Sequence, residues 1–180
     1  MTSPFVAGMK LRVSDLTGGT GSGSGGGAVG GGTVRMSADA TTVSNSTSFT
    51  DTGLTLPVVA NAFYVFTAWL RYTSGSTPDF KVQPSSPSGT TGGWSMVGYG
   101  RDVAPAADTG LGAQFIVADI GSSLTVAGDA TGTLALCALI NGSFTTTTAG
   151  NFLLRYGQRT ATVSNTIARA GSFMTLQRLA

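Results

Sequence analysis

Ala62-Phe-Tyr-Val-Phe-Thr-Ala-Trp-Leu-Arg-Tyr72 is the longest unbroken run of strand-forming residues in the chain, and its reading decides the fold. Seven of its eleven members are aromatic or β-branched, the types that fit a pleated, half-buried surface. With period 2, one face carries Tyr64, Phe66, Ala68, Leu70 and Tyr72, and the other carries Phe63, Val65, Thr67, Trp69 and Arg71. Neither face is polar throughout. Two placements fit such a strand: the centre of a two-layered β structure, or one face in the core and one against another subunit. Pro57 before the run and Ser74-Gly75-Ser76-Thr77-Pro78 after it argue against a buried helix.

Outward from this run, turn signals recur about every ten residues, the spacing of a sandwich or barrel of short antiparallel strands. The predicted strands are 33–37, 46–51, 54–59, 63–73, 80–83, 94–99, 114–120, 124–127, 133–140, 152–158 and 172–179. Residues 84–93 and 102–112 read as loops, and Asn141-Gly142 is the strongest hairpin signal. No window shows a helical period. The expected fold is all-β: an antiparallel β-sandwich of jelly-roll type over residues 33–180.

Composition agrees. Of 180 residues, 10% are charged, against roughly 25% in ordinary globular domains. Glu is absent, and Lys occurs only at Lys10 and Lys81, so the residues that usually fill exposed helix faces are missing. Ser and Thr take their place, as on a β protein with a neutral hydroxyl surface or one lying largely against neighbours. The net charge of +2 comes from scattered arginines rather than a basic run, so nucleic acid is not an expected partner. No apolar stretch approaches the roughly 20 residues of a membrane span, and Met1–Gly8 lacks the pattern of a signal peptide. The single Cys137, within Leu134-Ala-Leu-Cys-Ala-Leu-Ile140, reads as an inert core thiol on a strand apolar on both faces.

Ahead of the sandwich lie two segments of different character. Residues 18–32 hold ten glycines among fifteen residues, the composition of a flexible tether. Its Gly-Ser-Gly-Ser-Gly-Gly run lacks the strand, helix and lysine that a phosphate-binding loop needs. Residues 1–17 carry Phe5, Val6, Met9, Leu11, Val13 and Leu16, too few to build a core but suited to an anchor peptide that buries them in a partner.

Thr42-Val-Ser-Asn-Ser-Thr-Ser-Phe-Thr-Asp-Thr-Gly-Leu-Thr-Leu56, Asn61-Ala-Phe-Tyr-Val-Phe66, Pro78-Asp-Phe-Lys-Val-Gln83, Trp94, Leu139–Gln158 and the closing Ala170–Ala180 strand follow one another in a characteristic order and spacing. In these the chain resembles a β domain of structural proteins of tailed bacteriophages, especially tail-associated proteins of phages of actinobacteria. Phe5–Leu16 is similar to the short opening segment of such proteins. The resemblance implies a non-enzymatic component of the virion, assembled in the bacterial host cytoplasm, on the tail or as a capsid decoration. Its implied partners are other virion proteins, with a homotrimer as the assembly. The long Gly tether departs from the pattern.

The chemistry agrees with a non-enzyme. Without His there is no Ser-His or Cys-His nucleophile pair and no His metal site. No Asp-x-Asp calcium loop is present, and no cofactor or metal is expected. Distant Asp residues remain as a candidate glycosidase pair, although loop Asp residues more often cap turns. Lys10 and Lys81 show no buried apolar context suited to a lowered pKa. Trp69, Arg71, Tyr72, Trp94, Tyr99, Arg155 and Tyr156 are the candidate oligomer or glycan contacts, with core and interface anchoring the commoner role of such residues. The contrasting function is therefore a carbohydrate-binding or adhesin module that contacts a glycan of the host envelope.

Overall fold

In the computed structural model, which describes residues 31–99 and 113–179, the strands are β1 (Gly31–Arg35), β2 (Thr50–Val58), β3 (Ala62–Thr73), β4 (Phe80–Ser85), β5 (Thr91–Tyr99), β6 (Ala113–Asp119), β7 (Leu124–Val126), β8 (Leu136–Thr146), β9 (Gly150–Gln158), β10 (Ile167–Ala168) and β11 (Phe173–Arg178). Every pairing between them is antiparallel. The pairings nest: β5 with β6, β4 with β7, β3 with β8, and β2 with β9. The chain therefore runs as one long hairpin whose limbs alternate between two sheets. One sheet has the order β1-β11-β3-β8-β5-β6, with β10 added beside β3; the other has the order β2-β9-β4-β7. Two four-stranded layers interleaved in this order form a jelly roll, and β1 and β11 widen the first.

β3 lies inside the larger sheet and resolves its two-faced pattern. Tyr64, Phe66, Ala68, Leu70 and Tyr72 are all buried against the second sheet, while Phe63, Val65, Thr67, Trp69 and Arg71 point away from it. β3 thus sits within a two-layered structure with one face in the core, and its other face is uncovered among the described residues. The core aromatics form two clusters. Phe144 stacks on Phe152 at 4.5 Å between ring centroids, with Phe66 tilted against both. Tyr72 stacks on Phe80 at 4.2 Å, and Phe80 on Tyr156 at 5.7 Å. Burying each such side chain contributes about 1.5–3 kcal/mol.

Several boundaries differ from expectation. β1 begins at Gly31, so the last two glycines of the predicted tether are strand. Asp51-Thr-Gly-Leu54 is a bulge within the single strand β2 and not a turn between two strands. Gly53 takes a left-handed φ of 87° there, and the Thr52 hydroxyl donates to Leu154 O at 2.7 Å while accepting from Leu54 N, which stitches the bulge closed. Residues 46–49 are not strand. β4 passes through Pro84, tolerated because its neighbour β7 ends opposite Val82, where no ladder hydrogen bond is lost. β5 starts at Thr91, inside the predicted loop 84–93, and the two-residue β10 gave no periodic signal. The loop at 102–112 falls outside the described residues.

The largest correction concerns Asn141-Gly142. Both lie inside β8, opposite Thr67-Phe66 of β3 and Ser95-Trp94 of β5. The chain instead turns at residues 147–149, where it crosses to the other sheet. A Cβ on Gly142 would meet the Phe66 ring and approach Gly93 O to 2.8 Å. The glycine thus makes room for the Phe66 ring beside the Gly93 carbonyl.

Gln158 holds the loops at one end. Fully buried, its amide accepts from Thr162 N at 3.0 Å and Ser46 N at 3.4 Å and donates to Ser164 O. Gln158→Ala leaves these groups without their partner and is expected to cost about 2 kcal/mol, with faster amide exchange at Thr162. A loss in chemical denaturation below about 0.5 kcal/mol would contradict this role.

Candidate interaction surfaces

The two basic–aromatic steps of the sequence are split by the strand period. In Arg71-Tyr72 and Arg155-Tyr156 the tyrosine points inward and the arginine outward, and the arginines emerge on opposite faces of the sandwich. They cannot form one contact. Tyr72 is buried and donates to Ala127 O at 2.7 Å, and burial raises its phenol pKa far above the usual value. Tyr156 is buried and donates to Thr41 O, and burial pushes its phenol up to about 12. Trp94 is 2% exposed, with its indole N–H donating to Asp119 O at 3.2 Å. These three are core residues, and the oligomer-or-glycan reading is withdrawn for them: the inward side of each strand is closed by the opposing sheet.

Trp69, Arg71 and Tyr99 remain at the surface of the larger sheet. Trp69 is half-buried beside Phe173, ring centroids 6.3 Å apart. The Arg71 guanidinium donates to Ala170 O at 3.2 Å. Tyr99 is half-buried at the end of β5, where its carbonyl accepts from Ala127 N. Cys137 is exposed, contrary to its reading as a core thiol. Its strand carries apolar residues outward as well as inward, and among the described residues no second layer covers that outer side. Leu139 on the same side is 49% exposed. In register, Phe173, Trp69, Leu139 and Val97 form a row straight across four strands. The next row is polar, with Thr175, Thr67, Asn141 and Ser95. Beside it lies a shallow depression of 440 Å³, lined in part by Gly93, Ser143 and Val117.

The outer face of the second sheet differs. Arg155 donates to Ser85 Oγ at 3.0 Å and Gln83 Oε1 at 3.4 Å. Its guanidinium lies 6.0 Å from the Phe49 ring centroid, and the Lys81 ammonium lies 4.4 Å from it. Partial desolvation draws the Lys81 pKa below its usual value, which corrects the expectation that this lysine has no such context. Its amine donates to Thr47 O at 2.7 Å, so it clamps the 47–49 segment onto the sheet. Phe49 and Gln83 escaped the sequence reading because only the strand register brings them to Arg155. Among the described residues no three His, Cys, Asp or Glu side chains gather as a metal site would require, and no helix is long and apolar enough to cross a membrane. The anchor residues Phe5, Val6, Met9, Leu11, Val13 and Leu16 lie outside the described residues.

The class defined by this geometry is a jelly-roll β-sandwich whose larger sheet has an outer face uncovered among the described residues. No protein-family model matches the sequence, and no curated protein matches it. Among solved structures, a chain from "Structure of infectious bursal disease virus Gx strain" is similar at 14% identity, over 82% of this chain and 40% of that one, with a TM-score of 0.21. This chain therefore spans less than half the length of that one, and a likeness of this degree carries neither family nor function.

Proposed function

We propose that this chain is a non-enzymatic structural protein of a bacteriophage virion, tail-associated or decorating the capsid, attached through its N-terminal segment and displaying the sandwich. The observation that carries the reading is the nested jelly-roll order of β2 to β9, an architecture recurrent in viral capsid and lectin domains. It joins the resemblance in strand order and spacing to phage structural proteins. The weakly charged, hydroxyl-rich composition fits a protein that lives against neighbours. Attachment falls to residues 1–17 because their six apolar side chains are separated from the sandwich by Gly-rich sequence, which transmits no fixed orientation. Burying each in a groove on another virion protein contributes about 1.5–3 kcal/mol, less the cost of ordering the peptide. Lys10 and Arg12 add register.

The test uses the full chain and virus particles that lack it. The unaltered protein is expected to bind such particles, and a variant with Phe5, Val6, Met9, Leu11, Val13 and Leu16 changed to serine is expected to lose at least tenfold in affinity. Equal binding by the two, with unchanged thermal unfolding, would show that the sandwich itself attaches.

One observation favours a second reading, a carbohydrate-binding or adhesin module. Phe49, Lys81, Gln83 and Arg155 group aromatic, cationic and amide chemistry on one outer face. Glycan binding lost on Arg155→Ala, with particle attachment retained, would support it; a glycan array with no binding to the unaltered chain would remove it.

A further inference from the structure

We infer that the outer face of the larger sheet docks a second copy of this chain, face to face about a two-fold axis. This goes beyond the virion reading and does not depend on it. The face has the makings of an interface core. Phe173, Trp69, Leu139 and Val97 lie in register across β11, β3, β8 and β5, with Phe173 39% and Leu139 49% exposed. Val117 on β6, in register with Ser95, is 66% exposed.

Charge is confined to the margins of this face. On the outward side of β11, β3, β8 and β5 the one ionised side chain is Arg71, at the end of its row and already bonded to Ala170 O. Arg35 and Asp119 lie on the two edge strands. Depletion of charge at the centre with apolar and aromatic residues there is the compositional mark of an interface core.

Two features favour an identical partner over a different one. The first is self-complementarity. The polar row of Thr175, Thr67, Asn141 and Ser95 consists of groups that both donate and accept hydrogen bonds, so a copy of the row satisfies it with no like charges opposed, as an isologous contact requires. The second is size. Six strands at about 4.8 Å spacing span roughly 24 Å. With the six strands averaging roughly 28 Å in length, the face offers on the order of 700 Å², close to the roughly 800 Å² per partner of a standard interface. The expected unit is thus a pair, in place of the trimer that the resemblance implies.

The test is the mass of the full chain by sedimentation and light scattering from about 1 to 100 µM. A dimer of the 18.1 kDa chain is expected, and Leu139→Glu should weaken it at least tenfold. Thr55→Glu, on an exposed position of the other sheet, should leave it intact. A second readout needs no variant: alkylation of the exposed Cys137 in the unaltered protein should slow as concentration rises through the dimerisation range. A monomer throughout, a dimer untouched by a folded Leu139→Glu, or a concentration-independent alkylation rate would each overturn the inference. A monomer whose Cys137 is protected at every concentration would place the chain's own residues 1–30 on this face, and a monomer with freely reactive Cys137 would leave it to a different partner.

Discussion

Trp94→Ala is expected to cost about 3–5 kcal/mol, the usual price of removing a buried indole. For a chain of this length that lowers the thermal midpoint by roughly 6–20 °C. Trp94 is 2% exposed between the sheets. It stands beside Gly142, the position that Phe66 also flanks. Its loss empties space that no neighbouring side chain can refill, because Phe66 and Met96 are themselves confined. The chain has two tryptophans, so fluorescence separates them. Below the dimerisation range, Trp94→Ala leaves the half-buried Trp69, with red-shifted, quencher-accessible emission. In the same range Trp69→Ala leaves a shielded indole and lowers the midpoint far less than Trp94→Ala does. A midpoint within about 2 °C of the unaltered protein after Trp94→Ala, a cost of no more than about 1 kcal/mol, would mean that this residue is not in the core. It follows that loss of glycan binding on Trp94→Ala would report on folding and not on contact.

Gly142→Ala is the second large effect. A Cβ there meets the Phe66 ring and lies 2.8 Å from Gly93 O, so the added methyl either displaces a ring in the core or separates β8 from β5. Overpacking of this kind costs about 1–3 kcal/mol, with the upper end expected because one obstacle is backbone. Asn141→Ala, one residue away on the exposed side of the same strand, should stay within about 0.5 kcal/mol. A hairpin at Asn141-Gly142 would give a different pattern, in which both substitutions are harmful because both residues need left-handed backbone. Phe66→Leu should relieve part of the Gly142→Ala penalty, since the two share one space. Additive costs in the double variant would contradict the packing account.

The contrast between Gly53 and Gly142 shows how far the sequence could be read. Both looked like turns. Gly53 does bend the chain, with a left-handed φ, but the Thr52 hydroxyl absorbs the bend as a bulge within one strand. Gly142 is chosen for the absence of a side chain between the Phe66 ring and the Gly93 carbonyl, which the sheet brings together from distant strands. No local pattern reports that. The period-2 alternation, by contrast, was legible wherever one face is closed: every inward residue of the Tyr64-to-Tyr72 set is buried. The same alternation assigned Tyr72 and Tyr156 to the core and their arginine neighbours to the surface, once the register was known. A sandwich or barrel of antiparallel strands was expected from their spacing, while the pairing that makes it a jelly roll joins residues as distant as 50 and 156. Cys137 failed for a related reason. An apolar outward face marks either a covering layer or an uncovered surface, and the sequence does not distinguish them.

On the proposed function, the chain is a building block of a virion and is held there by its first residues. The most direct measurement is an electron-microscopy reconstruction of particles of the bacteriophage proposed to encode it, compared with particles from which its gene is deleted. The expected difference is density for the two-layered sandwich outside the shell or tail tube, joined to the particle through residues 1–17 seated in a groove of a neighbouring protein. Particles with identical density in both preparations, and no peptide of this chain by mass spectrometry of the purified virion, would contradict it.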